Sequence, residues 1–83
     1  MNVTWIDCSA ELPSKQHNAV YLVFSRETGR LGTLLWYGPS NEEQYWVLYD
    51  PVTDDELTIF EEDEQELLGK NYLWAKGLTS PNS

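Results

Sequence analysis

Two short runs of aromatic, aliphatic and β-branched residues constrain this chain to a mainly β fold. They are AVYLVFS at residues 19–25 and QYWVLY at residues 44–49. Such residues suit the pleated, half-buried surface of a sheet. The first run is apolar on both of its alternating faces, with Val20, Leu22 and Phe24 on one of them. That pattern is typical of a central strand, and we expect it to be covered on both sides.

Turn-forming residues divide the rest of the chain into further short segments. The sequence predicts additional strands at residues 3–8, 30–37, 56–60 and 72–75. Residues 61–68 are the one helix candidate, because their acids occupy the first turns, where the helix dipole favours negative charge. Short connections between successive strands predict an α+β fold of mainly β type. It would be an antiparallel, curled meander of five to six strands, with one short helix on a face or edge.

The length of the chain suits one domain. With 83 residues, we expect a compact domain at 1–78 and a flexible C-terminal tail at 79–83. Four Trp, five Tyr and two Phe offset the thin core of a domain this small. We assign Trp5 and Trp46 to that core. A single cysteine and the lack of a long apolar run predict a cytoplasmic protein without an internal disulfide.

The charge of the chain is strongly negative and unevenly distributed. Fourteen acidic residues against five basic ones give a net charge of −9. No Lys or Arg occurs from Leu31 to Gly69, where eleven of the acids lie: Glu42, Glu43, Asp50, Asp54, Asp55, Glu56, Glu61, Glu62, Asp63, Glu64 and Glu66. Such charge repels phosphates and anionic membranes and attracts cationic partners. We therefore expect a protein partner with a basic groove, and no direct binding to nucleic acid or membrane.

Candidate catalytic and metal sites are weak by comparison. Nucleophilic catalysis needs Cys or Ser beside a positioned His, and Cys8 with His17 is the one such pair. We expect a half-buried cysteine and an exposed histidine instead. The loop that contains Asp50 and Asp54 offers oxygen ligands for calcium but lacks the glycine and the twelfth-position glutamate of an EF-hand. We predict no enzymatic activity, no metal site and no cofactor.

The two ends of the chain carry short motifs in common with a known family. Thr4-Trp5-Ile6-Asp7-Cys8 precedes Glu11-Leu12-Pro13 and the strand from Ala19, and Trp74 precedes Leu78 and Pro81. This pattern resembles domain of unknown function five-fifty-one, a family of small proteins frequently encoded by phages and prophages. Cys8 departs from the aliphatic residue usual there, and the closing segment lacks the His-Trp and repeated Pro of the typical form. The resemblance implies a phage or mobile-element protein inside a bacterial cell, and it transfers no catalytic residue.

Carboxylates held on a rigid β scaffold can imitate the phosphates of a duplex. If the acidic clusters meet in space, they would form a nearly continuous negative face. We predict a non-enzymatic, phage-type inhibitory protein that presents the eleven acids, with Tyr45 and Tyr72, to the basic groove of a host defence complex, of the anti-CRISPR or anti-restriction type. The alternative is a structural or accessory interaction module of a phage or prophage, as a monomer or a homodimer. It would bind through exposed aromatics, for which interfaces are enriched.

Overall fold

The computed structural model describes residues 4–76, which form a six-stranded antiparallel sheet with one short helical segment. The strands are β1 (Thr4–Asp7), β2 (Val20–Ser25), β3 (Leu31–Tyr37), β4 (Tyr45–Asp50), β5 (Asp55–Ile59) and β6 (Tyr72–Lys76). The helical segment consists of a 3-10 turn at Glu61–Asp63 and a π-type turn at Gln65–Gly69. The predicted fold class and the position of the helix are confirmed. The predicted tail at 79–83 lies outside the described residues.

The spatial order of the strands is β1-β6-β2-β3-β4-β5. Tight turns connect β2 to β3 and β4 to β5, and each contains a residue with positive φ, Gly29 at 71° and Asp54 at 60°. The helical segment then carries the chain from β5 back to β6, which pairs with β2, and β1 completes that edge. The meander is therefore limited to β2 through β5. No helix within residues 4–76 is long and apolar enough to cross a membrane.

One face of the sheet carries the core and is named here the covered face. Its buried side chains are Tyr21, Val23, Leu34, Trp36, Trp46, Leu48, Ile59 and Trp74. Leu68 of the helical segment packs on them, as does Leu12 of the loop between β1 and β2. That loop is fixed by two hydrogen bonds: Tyr21 Oη donates to the Ser14 carbonyl at 2.6 Å, and Trp74 Nε1 donates to the Glu11 carbonyl at 2.7 Å.

The opposite side of the sheet is named here the open face. Val20, Leu22 and Phe24 lie on it and are only half-buried, whereas their neighbours on the covered face are buried. Expecting cover on both sides of β2 was therefore wrong, because the loop and the helical segment both pack on the same face. Trp46 is fully buried, as expected, but Trp5 lies on the open face with 42% of its surface exposed, so its assignment to the core was wrong.

Candidate acidic binding site

Nine of the eleven acids of the basic-free interval lie at two ends of the β4–β5 hairpin, and the other two, Glu64 and Glu66, lie on the helical segment. The loop-end group comprises Glu42 and Glu43, between β3 and β4, together with Glu61, Glu62 and Asp63 after β5. The turn-end group comprises Asp50, Asp54, Asp55 and Glu56 at the tight turn between β4 and β5. Six residues of β4 separate the ends by about 17 Å. The clusters therefore share one half of the sheet without forming a continuous face.

Three of the five basic residues lie on the other half, whereas Lys15 and Arg30 pair with acids of the basic-free interval. Arg26 lies in the turn after β2, Lys70 precedes β6, and Lys76 ends β6. Because β6 lies between β1 and β2, these three positions are separated from β4 and β5 by the rest of the sheet. On that half Arg26 pairs with Asp7 and Lys76 with Glu11, so the molecule presents a negative side and a nearly neutral side to any charged partner.

Ion pairs neutralise some of the acids. Arg30 Nη2 lies 2.7 Å from Asp50 Oδ2, and Lys15 Nζ lies 2.9 Å from Glu61 Oε2. The hydrogen bond from Arg30 is the main reason that the pKa of Asp50 is lowered. Among the described residues, three of the eleven acids make ion pairs: Asp50, Glu61 and Glu64. Eight carboxylates are left without one there: Glu42, Glu43, Asp54, Asp55, Glu56, Glu62, Asp63 and Glu66.

Glu64 has a different role from its neighbours in the sequence. Its residue is 7% exposed, its carboxylate accepts a hydrogen bond from Trp46 Nε1, and Lys15 Nζ lies 3.0 Å from it. Partial burial opposes the charge of Lys15, but hydrogen bonds and the charges of Glu61 and Glu64 raise the pKa of Lys15 overall. Glu64 therefore ties the helical segment to the covered face. Because it is buried there, it is not available to contact a partner.

The two tyrosines predicted to contact a partner lie on different faces. Tyr45 is half-buried on the open face, where its ring centroid lies 5.2 Å from that of Tyr37. Tyr72 lies on the covered face, because it pairs with the buried Ser25. They cannot belong to one aromatic strip, although each is accessible from its own side.

Two further tyrosines connect the open face to the acids. Tyr37 Oη donates to Glu42 Oε2 at 3.0 Å, and Tyr49 Oη donates to Asp54 Oδ1 at 2.8 Å. These hydrogen bonds are the main reason that the pKa values of both tyrosines are raised. Sequence reasoning missed this role, although each pair is separated by five residues, a spacing that a short loop closes.

Cys8 and His17 do not have the environment of a catalytic pair. Cys8 is fully buried, rather than half-buried as expected, and burial raises the pKa of its thiol to about 12. His17 is exposed, as expected; its Nδ1 accepts a hydrogen bond from the Gly38 amide at 3.1 Å, and its ring contacts Tyr37 edge-on. Within residues 4–76, no group of three or more His, Cys, Asp or Glu side chains is placed to hold a metal ion.

The burial of Cys8 predicts slow reaction with thiol reagents. At pH 8, a thiol with a pKa of about 12 is ionised about a thousandfold less than a free cysteine, and only the thiolate is nucleophilic. We expect dithionitrobenzoate to label the folded protein at least about 100-fold more slowly than the same protein in denaturant. Stopped-flow absorbance measures both rates. Equally fast labelling without denaturant would show that the thiol is accessible and ionised in the fold.

Comparison with known protein families, with curated proteins and with solved structures found no match to this chain. The resemblance to domain of unknown function five-fifty-one stays a prediction.

Proposed function

We propose that this protein is a non-enzymatic inhibitor that uses its acidic half to occupy the basic nucleic-acid-binding groove of a host defence complex in a bacterial cell. A CRISPR effector or a restriction enzyme has a groove of this kind. The observation that supports the proposal best is the placement of the carboxylates. Eight of them make no ion pair among the described residues, and seven of these, all except Glu66, border the β4–β5 half of the sheet.

Inhibition would be electrostatic and steric. Lysines and arginines that normally neutralise phosphates would pair with the loop-end and turn-end groups instead, so nucleic acid would lose its binding surface. The β4–β5 hairpin holds the two groups about 17 Å apart on hydrogen-bonded strands, which reduces the ordering required on binding. The association rate would depend strongly on salt, because steering between exposed charges is screened.

Charge reversal tests this proposal. We expect the double variant Glu43→Lys, Glu62→Lys to compete at least about tenfold more weakly than wild type with labelled duplex DNA for a CRISPR effector or restriction enzyme. The control is Glu27→Lys, an exposed acid on the other half of the sheet. Fluorescence anisotropy measures the competition at low and moderate salt. If excess wild-type protein leaves the DNA affinity of a panel of such enzymes unchanged at both salt concentrations, the proposal is wrong.

The open face supports a second candidate function, that of an accessory or structural interaction module of a phage. Trp5 and Leu31 are 42% and 50% exposed, and the Trp5 ring lies 6.1 Å from that of Phe24, so an apolar area extends over four neighbouring strands, from β1 across β6 and β2 to β3. Such areas mark interfaces with partners or second copies. Loss of partner binding or of a dimer in Trp5→Ser, Leu31→Ser, with no effect of the charge reversals, would favour this function. Sedimentation velocity measures the dimer.

A further inference from the structure

The covered face has an uncovered part at the turn end of the hairpin. The helical segment and the loop before β2 pack over the end that contains Trp46. Beyond them lies a cleft with a volume of about 360 Å³. Gly32 and Leu48 belong to its lining, and because Gly32 has no side chain, the middle of the sheet stays open there. Tyr72 from β6 and Leu57 from β5 line it from opposite sides.

The charges around the cleft are unbalanced. Asp50 and Asp55 line it on the covered face together with a single cation, Arg30, whereas Glu56 pairs with Tyr49 and therefore directs its side chain to the open face. Asp50 is occupied by Arg30 and by the amide of Val52, which donates to it at 2.9 Å. Asp55 lies directly opposite Asp50 in the β4–β5 ladder and makes no ion pair among the described residues. Like charges opposite each other destabilise an antiparallel pair, so a bound cation beside Asp55 would relieve repulsion.

We propose that this cleft binds one arginine side chain of a protein partner. The inference rests on the proposed function, because it identifies how a basic groove would be anchored. A planar guanidinium suits the site better than an ammonium, since it can form two hydrogen bonds to a carboxylate and stack on the ring of Tyr72. The cleft is at the small end of ligand pockets, which fits one side chain rather than a folded segment.

Two observations favour a different protein over a second copy as the source of that arginine. This chain has only Arg26 and Arg30, and both are paired, Arg26 with Asp7 at 2.6 Å and Arg30 with Asp50 at 2.7 Å. A second copy would also bring its own acids against the cleft.

Titration with N-acetyl-argininamide, followed by NMR of the ¹⁵N-labelled protein, tests the proposal. We expect saturable shifts of the Gly32, Leu48 and Leu57 amides, with a dissociation constant of about 1 mM for so small a probe. Asp55→Asn should weaken binding at least about fivefold. The matched control is Asp54→Asn, which removes the same charge one residue away, does not line the cleft, and keeps a residue that tolerates the positive φ of that position.

A third variant fills the cleft without removing charge. Leu57 is 48% exposed on the edge strand, so Leu57→Trp should fold and abolish the shifts. The assignment is overturned if wild type shows no saturable shifts at these amides, if Asp54→Asn and Asp55→Asn weaken binding equally, or if N-acetyl-lysinamide binds as tightly. Glu43 and Glu62 lie at the other end of the hairpin, so their competition experiment can succeed when this one fails.

Discussion

Replacing Trp46 with alanine is expected to leave the protein largely unfolded at room temperature. The side chain is fully buried, its ring centroid lies 4.8 Å from that of Trp36, and its Nε1 donates to the buried carboxylate of Glu64. Removing a buried aromatic costs about 3–5 kcal/mol, and leaving a buried charge without its donor costs about 1–3 kcal/mol more. A domain of this size has a free energy of unfolding of about 4–12 kcal/mol in total.

Two controls separate the causes of this effect. Trp46→Phe keeps most of the ring but removes the donor, and we expect it to lower the free energy of unfolding by about 2 kcal/mol. Trp5→Ala makes the same chemical change on the open face and should cost only about 1 kcal/mol. Urea unfolding followed by circular dichroism measures all three. An alanine variant at Trp46 with the wild-type midpoint would contradict the packing described for the covered face.

Local sequence patterns predicted the strands well, because the residue types that indicate a strand lie within the strand itself. The alternation around Tyr21 and the aromatic run around Trp46 each correspond to a strand, with ends shifted by about one residue. Long-range pairing could not be read in this way. Nothing near Tyr72 indicates that it lies beside Ser25, 47 residues away in the sequence, and this pairing places β6 inside the sheet. The same pairing requires the helical segment to run across the sheet from β5 to β6. The side on which it runs is the covered face.

The candidate site was predicted in composition but not in geometry. Sequence reasoning identified the acidic interval and treated its members alike, because their charges are the same. It could not place them at two ends of a hairpin, since that depends on strand direction. Spacing did not separate Glu64 either: Leu68 lies four residues after it, but Leu67 lies four residues after Asp63, and only the structure shows that Leu68 is buried while Leu67 is 40% exposed.

Glu64 and Glu61 offer a direct comparison of a buried and an exposed carboxylate that bind the same ammonium group. Lys15 Nζ lies 3.0 Å from Glu64 and 2.9 Å from Glu61, but the Glu64 side chain is 10% exposed and that of Glu61 is 59% exposed. Exposed ion pairs contribute at most about 1 kcal/mol, whereas removing one partner from a buried pair costs about 3–5 kcal/mol.

We therefore expect Glu64→Ala to lower the free energy of unfolding by about 3–5 kcal/mol and Glu61→Ala by less than about 1 kcal/mol. Part of the larger loss arises because the Nε1–H of Trp46 no longer has an acceptor. The effects of Glu64→Ala and Trp46→Phe on the free energy of unfolding should therefore be strongly non-additive. Urea unfolding of the single and double variants measures that coupling. Equal effects of the two alanine substitutions would mean that Lys15, rather than Trp46 and burial, determines the contribution of Glu64. The helical segment would then be held on the sheet by the packing of Leu68, with only a weak contribution from the ion pairs of Lys15.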